Sequence, residues 1–420
     1  MNKKLYNKDY LLLLQGSAFS VFGDILYSIA ISVWVYEKTH STSLMGIMAS
    51  ISLFVTMFGS PIAGAFVDRG NRKWIIIMTD FIRAILMFGV AYLSFQENLS
   101  VFIVLFAAVV AAFCHLFFVP ASMTVMVDLI PEDKIMKGQS LHQGIVSLLN
   151  FAGKALSGVL IIVFGVSWMI LINAISFLLS AFSELFINVP STIKSQDVFT
   201  FKKVFIDLKN GALETFNDKM LRKLIFLALS INLFSSGVYH LFLPFTDQKG
   251  LDIVHYGYLM SVLSLAGIVG MAITASIDFK PKQQHQIMVY GFLIGMSFEA
   301  IAYLSTGFYT LSILFFLGNV LGTIANASLN AVLILAIPKE KRALVIGFVM
   351  AGSSGGIALS SLGYGLLAEF IPLSILGASG MVIALIPMML LGFDRRVKAL
   401  FLKQEMVSNP LVEQMSQSSN

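Results

Sequence analysis

The sequence has few charged residues and almost no cysteine for a chain of 420 residues. Asp, Glu, Lys and Arg together make up 12% of it, about half the share of a typical soluble protein, whereas 57% of the residues are hydrophobic. So few charges cannot cover the surface of a water-soluble protein of this length, which excludes a soluble globular chain. The single cysteine, Cys114, excludes an intrachain disulfide and a metal site built from several thiolates.

The sequence also lacks motifs that mark common enzyme classes. It contains neither the phosphate-binding motif G-x-x-x-x-G-K-[ST] nor the zinc-binding motif H-E-x-x-H, and its Cys and His residues do not cluster. We therefore predict that the protein is not an enzyme and that it holds no cofactor and no metal. Basic residues lie between apolar segments, where lipid headgroups account for them, so nucleic acid is not an expected partner.

Long apolar segments are what the sequence has in abundance. A hydrocarbon core about 30 Å thick is crossed by a helix of about 20 apolar residues, and charge-poor stretches of that length recur along the chain. Their apolar residues are continuous rather than alternating, which is typical of membrane helices and not of barrel strands. We predict an all-α polytopic membrane protein with twelve transmembrane helices at 10–36, 44–67, 74–95, 99–127, 139–164, 167–188, 221–246, 253–277, 286–305, 309–336, 343–369 and 371–393.

Lys and Arg residues fall almost entirely on one side of these spans. If the N-terminus is cytoplasmic, 24 of the 28 lie in cytoplasmic segments, and two, Lys38 and Lys249, lie outside. The remaining two, Arg83 and Lys154, lie within spans. Because the cytoplasmic loops of membrane proteins are enriched in Lys and Arg, both termini are predicted to be cytoplasmic.

The chain divides into two similar halves. Residues 130–134, after the fourth span, read Ile-Pro-Glu-Asp-Lys, and residues 337–341, after the tenth, read Ile-Pro-Lys-Glu-Lys. Duplicated six-helix halves around a central site are a common plan of secondary transporters. The linker between the halves either contains an amphipathic helix on the inner leaflet or is a partly helical connection. We predict an N-terminal half at 1–188, a cytoplasmic linker at 189–220, a C-terminal half at 221–393 and a disordered cytoplasmic tail at 394–420.

The segment between the second and third spans is the most informative decapeptide of the sequence. It reads Gly-Ala-Phe-Val-Asp-Arg-Gly-Asn-Arg-Lys over 64–73. The glycine at its start allows a neighbouring helix to approach closely, and its basic residues can bind acidic side chains or lipid phosphates. Composition alone favours an ordinary basic turn on the cytoplasmic side. The first glycine and the charged residues of this segment are Gly64, Asp68, Arg69, Arg72 and Lys73, and Asp128 lies at the inner end of the fourth span.

This decapeptide resembles the signature of the major facilitator superfamily, G-x-x-x-D-R-x-G-R-R/K, with Asn71 at the position of the second glycine. The chain also resembles the twelve-span drug:proton antiporter branch, which includes macrolide-efflux-like proteins, in Ser-Val-Phe-Gly-Asp at 20–24 and Asn-Ala-Ile-Ser-Phe at 173–177. The resemblance implies the twelve-helix major facilitator fold in a bacterial cytoplasmic membrane. It also implies a latch between the two halves, in which Asp68 faces the helix that begins near Ala343 and Arg72 meets Asp128. The cytoplasmic gating motif that the resemblance implies comprises Gly64, Asp68, Arg69, Arg72, Lys73 and Asp128.

A few charged residues lie inside the predicted spans. A charge at the centre of a bilayer costs about 2.5–3.5 kcal/mol on insertion scales, so each is a candidate for function. Asp24 in the first span and Lys154 in the fifth lie at similar depth. We hypothesise that these two residues form an ion pair and that protonation of Asp24 or substrate binding loosens it. The alternative is a static structural ion pair. Arg83 is expected to pair structurally with Asp80, and the acid of the ninth span to be structural or a proton site. The candidate proton-coupling or buried charges are Asp24, Lys154, Glu299 and Arg83.

Lys154 is a departure from the antiporter pattern. The fifth span of that branch carries G-P-x-x-G-G, whereas residues 153–158 read Gly-Lys-Ala-Leu-Ser-Gly. The pattern is associated with proton-driven export. Replacement of its proline by Lys154 favours a straighter helix with a cation at mid-depth.

Polar residues follow single faces of several spans. Positions three or four apart lie on one face of a helix, and a polar face in a membrane must turn toward other helices or water. Such faces either line a substrate cavity or hold helices together, and their length here favours the cavity. The residues predicted to line it are Tyr27 in the first span, Gln143, Ser147, Asn150 and Ser157 in the fifth, Asn232, Ser236 and Tyr239 in the seventh, and Asn319, Thr323, Asn326 and Asn330 in the tenth.

These features together predict a secondary active transporter. The first interpretation is proton-coupled efflux of an amphipathic small molecule, such as a drug, a macrolide-like antibiotic or a metabolite, by alternating access. The second is transport of a lipid, siderophore or nutrient without proton antiport, and the third is a membrane receptor or scaffold that does not transport. The expected partners are membrane lipids, a small-molecule substrate and protons, and the chain is expected to act as a monomer.

Overall fold

A computed structural model describes residues 5–131, 134–189, 219–277, 279, 281–337 and 342–394, together with Ile206, Lys209, Asn210, Leu213, Phe216 and Lys398. A few side chains within these ranges, that of Asp68 among them, are not described. Most of the predicted linker at 189–220 and nearly all of the predicted tail at 394–420 lie outside the described residues. The amphipathic helix and the disordered tail therefore stay predictions.

The described chain is built from helices joined by short connections. The first six are α1 (Lys8–Thr39), α2 (Thr42–Arg69), α3 (Arg72–Phe95), α4 (Val101–Leu129), α5 (Ile135–Phe164) and α6 (Val166–Leu185). Then follow α7 (Lys219–Ser235), a 3₁₀ turn (Gly237–Leu241), α8 (Phe242–Gln248), α9 (Ile253–Ser276), α10 (Pro281–Leu304), α11 (Phe308–Ala336), α12 (Arg342–Leu367) and α13 (Leu373–Gly392).

The helices coincide with the predicted spans to within a few residues, except that the 3₁₀ turn interrupts the seventh span between α7 and α8. Within the described part of the chain, 11 helical stretches are long and apolar enough to cross a membrane. The 26-residue α12 occupies the place of the eleventh predicted span. The all-α membrane class is confirmed, whereas the count of twelve transmembrane helices stays a prediction.

Polar side chains define where the first four helices begin. Asn7, Ser41, Asn71 and Ser100 each precede a helix and accept a hydrogen bond from the backbone N–H three residues further on. Such a cap satisfies a backbone donor that the first turn leaves free, and it stabilises a helix by about 1 kcal/mol. Asn71, which stands at the position of the second glycine of the signature, has an extended backbone (φ −79°) and caps α3.

Contacts between Cα atoms divide the chain into two compact units. Unit 1 comprises Met1–Val204 and His240–Ser264, and unit 2 comprises Phe205–Tyr239 and Leu265–Asn420. In unit 1, α1 packs against α5 and α6, α3 packs against α4 and α6, and α2 packs against α4. In unit 2, α10 packs against α11 and α13, and α7 packs against α12 and α13. The division into halves at 188 and 221 stays a prediction.

An apolar cluster holds together the ends of the unit 1 helices that lie nearest the start of α1. It contains the fully buried Tyr10, whose hydroxyl donates to the carbonyl oxygen of Gly138 at 2.8 Å, so the polar atom of this large side chain is satisfied. The cluster fixes α1, α3 and α4 against the chain that follows α6, and thereby places the polar residues further along these helices. Its other members include Leu13, Ile76, Val125, Met126 and Ile187.

Candidate functional site

Arg83 on α3 is the centre of a charged cluster inside unit 1. Its side chain is 3% exposed and forms an ion pair through Nη2 with Asp80, one turn earlier on the same helix. Its Nη1 lies 3.8 Å from Oδ2 of Asp24 on α1. The guanidinium carbon also lies 4.7 Å and 4.3 Å from the ring centroids of Phe118 and Phe177, distances typical of cation–π contacts. The expected pair of Arg83 with Asp80 is present, and Asp24 joins it.

A third carboxyl, that of Glu184 on α6, belongs to the same cluster. Both Asp80 and Glu184 are 0% exposed, and the charge of Glu184 is close enough to interact with Asp80 and Arg83. Ser20 donates to Asp80 at 3.3 Å, and Ser180 donates to Oε1 of Glu184 at 3.5 Å. Oε2 of Glu184 is buried without a hydrogen-bond partner in the part of the chain that the structure describes.

Sequence reasoning did not single out Glu184, because it lies at the end of a span, where acidic residues are common in headgroup regions. A signal was nevertheless present in the sequence. Polar residues occur at 173, 176, 180 and 184, at steps of three, four and four, which is one face of α6. That face packs on α1 and α3, as the burial of Asn173, Ser180 and Glu184 shows.

A cavity of about 420 Å³ in unit 1 opens onto this cluster. Polar groups at its wall include the Asp24 carboxyl, whose side chain is 43% exposed, and the Arg83 guanidinium. The hydroxyl of Tyr27 is buried at the same wall and has no hydrogen-bond partner among the described residues. Asp24 and Tyr27 therefore lie at one cavity wall together with His115 from α4, and the contact of Tyr27 with a substrate stays a prediction.

The hypothesised pair of Asp24 with Lys154 is not formed in this structure. Asp24 meets Arg83 instead, and within the described residues Lys154 makes no ion pair. Gly153 lies beside Ile25, the residue after Asp24, whereas Lys154 lies on another face of α5. A Cβ on Gly153 would lie 3.0 Å from Cγ2 of Ile25, so α5 turns Gly153 toward α1, and Lys154 is rotated away from it by about 100°.

The remaining polar residues of α5 make mostly local bonds. Asn150 donates to the carbonyl oxygen of Val146 at 3.0 Å, and the buried Ser157 donates to that of Lys154 at 2.8 Å. Gln143 is exposed and Ser147 is half-buried. None of these four predicted cavity residues is among those that line the 420 Å³ cavity, and their role stays a prediction.

Unit 2 has its own polar centre around Glu299 on α10. Tyr239 donates its hydroxyl to Oε2 at 2.8 Å, and Asn319 on α11 donates to Oε1 at 3.1 Å. A Cβ on Gly318 would lie 2.6 Å from Cγ of Glu299, so only glycine leaves room for this side chain. Glu299 is 7% exposed and has no ion-pair partner among the described residues.

A cavity of about 200 Å³ adjoins Glu299 and brings together most of the polar residues predicted for the seventh and tenth spans. Its lining includes Asn232, Tyr239, Asn319, Thr323 and Asn326. Ser236 and Asn330 are not part of this lining, although Asn330 donates to Oδ1 of Asn326 at 3.2 Å. The grouping of these side chains on one cavity is what helical spacing predicted, and their contact with a substrate stays a prediction.

The gating motif at the end of α2 and the start of α3 is partly described. Nη1 of Arg72 lies 2.9 Å from Oδ2 of Asp128, which is the predicted ion pair. Nζ of Lys73 donates to the carbonyl oxygen of Leu185 at the end of α6 at 2.8 Å. No described atom lies within 4 Å of a Cβ on Gly64, so a close helix approach there stays a prediction. The side chain of Asp68 lies outside the described residues, and the roles of Asp68 and Arg69 stay predictions.

Comparison with known proteins places this arrangement in a family. A family model described as the Major Facilitator Superfamily matches residues 13–298. The MFS-type transporter YfiS of Bacillus subtilis is 24% identical over 395 residues, covering 89% of this chain and 91% of that protein. The multidrug efflux pump Tap of Mycobacterium bovis is 23% identical over 301 residues (70% and 71%), and macrolide efflux protein A of Streptococcus pyogenes is 27% identical over 177 residues (42% and 43%).

A solved structure shares the fold. The inward-facing, unoccupied form of a bacterial homologue of the human lysosomal transporter Spinster superposes with a TM-score of 0.69, at 15% identity, over 94% of this chain and 98% of that one. With the family model matched over well more than half of its length, the chain belongs to the major facilitator superfamily of membrane transporters.

Proposed function

We propose that the protein is a secondary active transporter that exports an amphipathic small molecule in exchange for protons by alternating access. The substrate class is a drug, a macrolide-like antibiotic or a metabolite. The observation that carries the proposal is the unit 1 cavity, where the partly exposed Asp24 carboxyl lies 3.8 Å from the buried Arg83 guanidinium. The transporter acts as a monomer in a bacterial cytoplasmic membrane, with both termini in the cytoplasm.

The composition of the cavity wall suits an amphipathic molecule. A volume of about 420 Å³ is in the range of small-molecule sites, which are mostly apolar with a few oriented polar groups. Met45 and Met48 line it beside Ile31, and methionine side chains adapt to ligands of different shape. The polar end of a substrate would meet Asp24 and Arg83, while its apolar part would lie on these side chains.

The pair of Asp24 and Arg83 supplies a physical basis for proton coupling. An ionised Asp24 is attracted to Arg83, and a protonated Asp24 is not. Because the Asp24 side chain is open to the cavity, a proton and the polar end of a substrate compete for the same place beside Arg83. Binding of one therefore disfavours the other, which is the requirement for exchange.

The relatives support export as the direction. Two of them are named as a macrolide efflux protein and a multidrug efflux pump. The Arg72–Asp128 ion pair supports the related proposal that Asp68, Arg69 and Lys73 belong to a cytoplasmic latch.

Lys154 favours a second candidate function, the transport of a lipid, siderophore or nutrient without proton antiport. It is a cation in the middle of α5 without an ion pair in the described part of the chain, and it can accommodate an anionic group on a substrate. A receptor or scaffold without transport is the candidate from a different class, and it needs neither cavity nor buried charge.

The test uses the purified full-length chain in proteoliposomes, with ethidium and erythromycin as probes and an imposed pH gradient. We expect gradient-dependent movement of at least one probe, its loss in Asp24→Asn and its retention in Glu97→Gln, the same chemical change at an exposed turn residue. Movement of a probe at the same rate with and without the pH gradient supports the second candidate function, transport without proton antiport. No movement of either probe, with or without the gradient, contradicts drug export.

A further inference from the structure

The cluster around Arg83 contains more acid than base. Two carboxyls, those of Asp24 and Asp80, pair with one guanidinium, and a third, that of Glu184, is buried close by and accepts a hydrogen bond from Ser180. Two of these carboxyls have no exposed surface. Were all three ionised, the cluster would carry two uncompensated negative charges. At least one of them would lie on the two carboxyls from which water is excluded, and burying an uncompensated charge is strongly unfavourable. At least one carboxyl of the cluster must therefore hold a proton.

The hydrogen bonds identify which carboxyl that is. Asp80 is paired directly with Arg83 and accepts a further bond from Ser20. Asp24 is open to the cavity, where water can solvate its charge. Glu184 has one oxygen at 3.5 Å from the Ser180 hydroxyl and the other without any partner in the described chain. A buried carboxylate with so few donors is the least stable of the three as an anion, so the proton resides on Glu184.

No other charged group around Glu184 in the described chain provides a positive charge that would compensate an ionised carboxyl there. On α1, Asp9 accepts a hydrogen bond from the backbone N–H of Asn188 at 2.9 Å, and on α3, Lys73 is bound to the carbonyl oxygen of Leu185. Within the described residues none of them forms an ion pair with Glu184. The titratable groups of the packed helix α5 are Lys137, His142 and Lys154, and those of α4 beside the cluster are Cys114 and His115.

The two ends of the cluster lie at different depths. Asp24 faces the cavity, whereas Glu184 is the last residue but one of α6, at the end of the helix where Lys73 and Asp9 bind. This is the end that the distribution of Lys and Arg predicts to be cytoplasmic. Arg83 and Asp80 lie between them.

We propose that Glu184 is a second proton-binding site and that Asp24 and Glu184 are the two ends of a charge relay through Arg83. When Asp24 takes a proton from the cavity, an O–H bond forms there and one negative charge leaves the cluster. The O–H bond of Glu184 then breaks, its proton leaves toward the predicted cytoplasmic end of α6, and Arg83 compensates the new carboxylate. The net charge of the cluster is unchanged, and no proton crosses the guanidinium, which stays charged throughout. The relay rests on the proposed proton coupling and names where the proton leaves.

The test is infrared difference spectroscopy of the purified full chain in lipid nanodiscs at neutral pH, which needs no substrate. The wild-type spectrum minus that of Glu184→Gln should show the C=O band of a protonated carboxyl. The matched control Glu97→Gln should leave that band in place. In the Asp24→Asn background, where the cavity end is permanently neutral, the same subtraction should show a carboxylate band and no protonated band.

Two results overturn the relay: a carboxylate band for Glu184 in the wild type, or a protonated band that persists unchanged in Asp24→Asn. If Glu184→Gln fails to fold, Glu184→Asp, which keeps a carboxyl, is compared instead, and the protonated band should change frequency. The spectra separate the two proposals. If the wild type moves neither probe but gives the expected spectra, drug export is contradicted and the relay is not. If the wild type exports a probe but the protonated band of Glu184 is the same in Asp24→Asn, the relay is contradicted and drug export is not.

Discussion

Replacing Gly23 with alanine should force α1 away from α6. A Cβ at this position would lie 2.6 Å from Oδ1 of Asn173 and 2.8 Å from Cβ of Ser176, with Oγ of Ser176 closer still. Favourable contacts begin at about 3.5 Å, so the new methyl group overlaps its neighbours by well over half an ångström. Overpacking of this kind costs about 1–3 kcal/mol, and each kcal/mol lowers the melting temperature of a unit of roughly 200 residues by about 2–4 °C. For a cost in the middle of that range, about 2 kcal/mol, we expect a loss of about 4–8 °C.

Cys114 provides the assay for this change, because it is buried in α4 and is the only cysteine of the sequence. A thiol-reactive fluorophore should label it only as unfolding exposes it. Gly89→Ala is the matched control, since a Cβ there would meet nothing within 4 Å. Combining Gly23→Ala with Ser176→Gly should recover part of the loss. Equal melting temperatures for Gly23→Ala and Gly89→Ala would refute the reasoning.

Thermal unfolding followed by circular dichroism tests three other contacts. Arg72→Ala should cost about 1 kcal/mol, because its ion pair with Asp128 is mostly buried, and a double-mutant cycle that finds no coupling between them would contradict this. Glu299→Ala leaves two buried donors unsatisfied and should cost about 2 kcal/mol or more, whereas Glu299→Gln should cost less; equal losses would argue against the hydrogen bonds. Hydrogen bonds from the backbone and ring of His255 lower the pKa of Asp252, so the stability they contribute is present above the ordinary aspartate pKa and is lost as the pH falls through the lowered one. When the pH is lowered from about 6 to about 3, the melting temperature of Asp252→Asn should therefore fall less than that of the wild type. Parallel melting temperatures of the two proteins over this pH range would contradict a stabilising role of these hydrogen bonds.

The helices were predictable because lipid imposes a length and a composition on each span. Asn7, Ser41 and Ser100 mark the helix starts by the same capping chemistry that acts in water. The grouping of Asn232, Tyr239 and other polar residues around one cavity followed from spacing alone, because helical periodicity fixes which residues share a face.

Partners across helices were less predictable. Depth along a helix follows from counting residues, but rotation about its axis depends on packing, and one residue changes the direction of a side chain by about 100°. Gly153 rather than Lys154 faces α1 for this reason, which left Asp24 to Arg83. Arg83 was expected to pair with Asp80, and in the structure it is the partner of Asp24 as well.

The rings of Phe118 and Phe177 decide which cation can occupy the position of Arg83. A guanidinium is planar and weakly hydrated, so apolar rings can cover part of it while its edges still reach carboxyls. An ammonium is compact and strongly hydrated. It would lose that hydration against the rings, and it lacks the planar set of N–H donors with which a guanidinium reaches two carboxyls. The position therefore selects the shape of the cation as well as its charge. Two side chains without a polar atom thus become part of the electrostatics of the cluster, and substitutions at Phe118 or Phe177 belong beside those of the charged residues in any mutational study of this transporter.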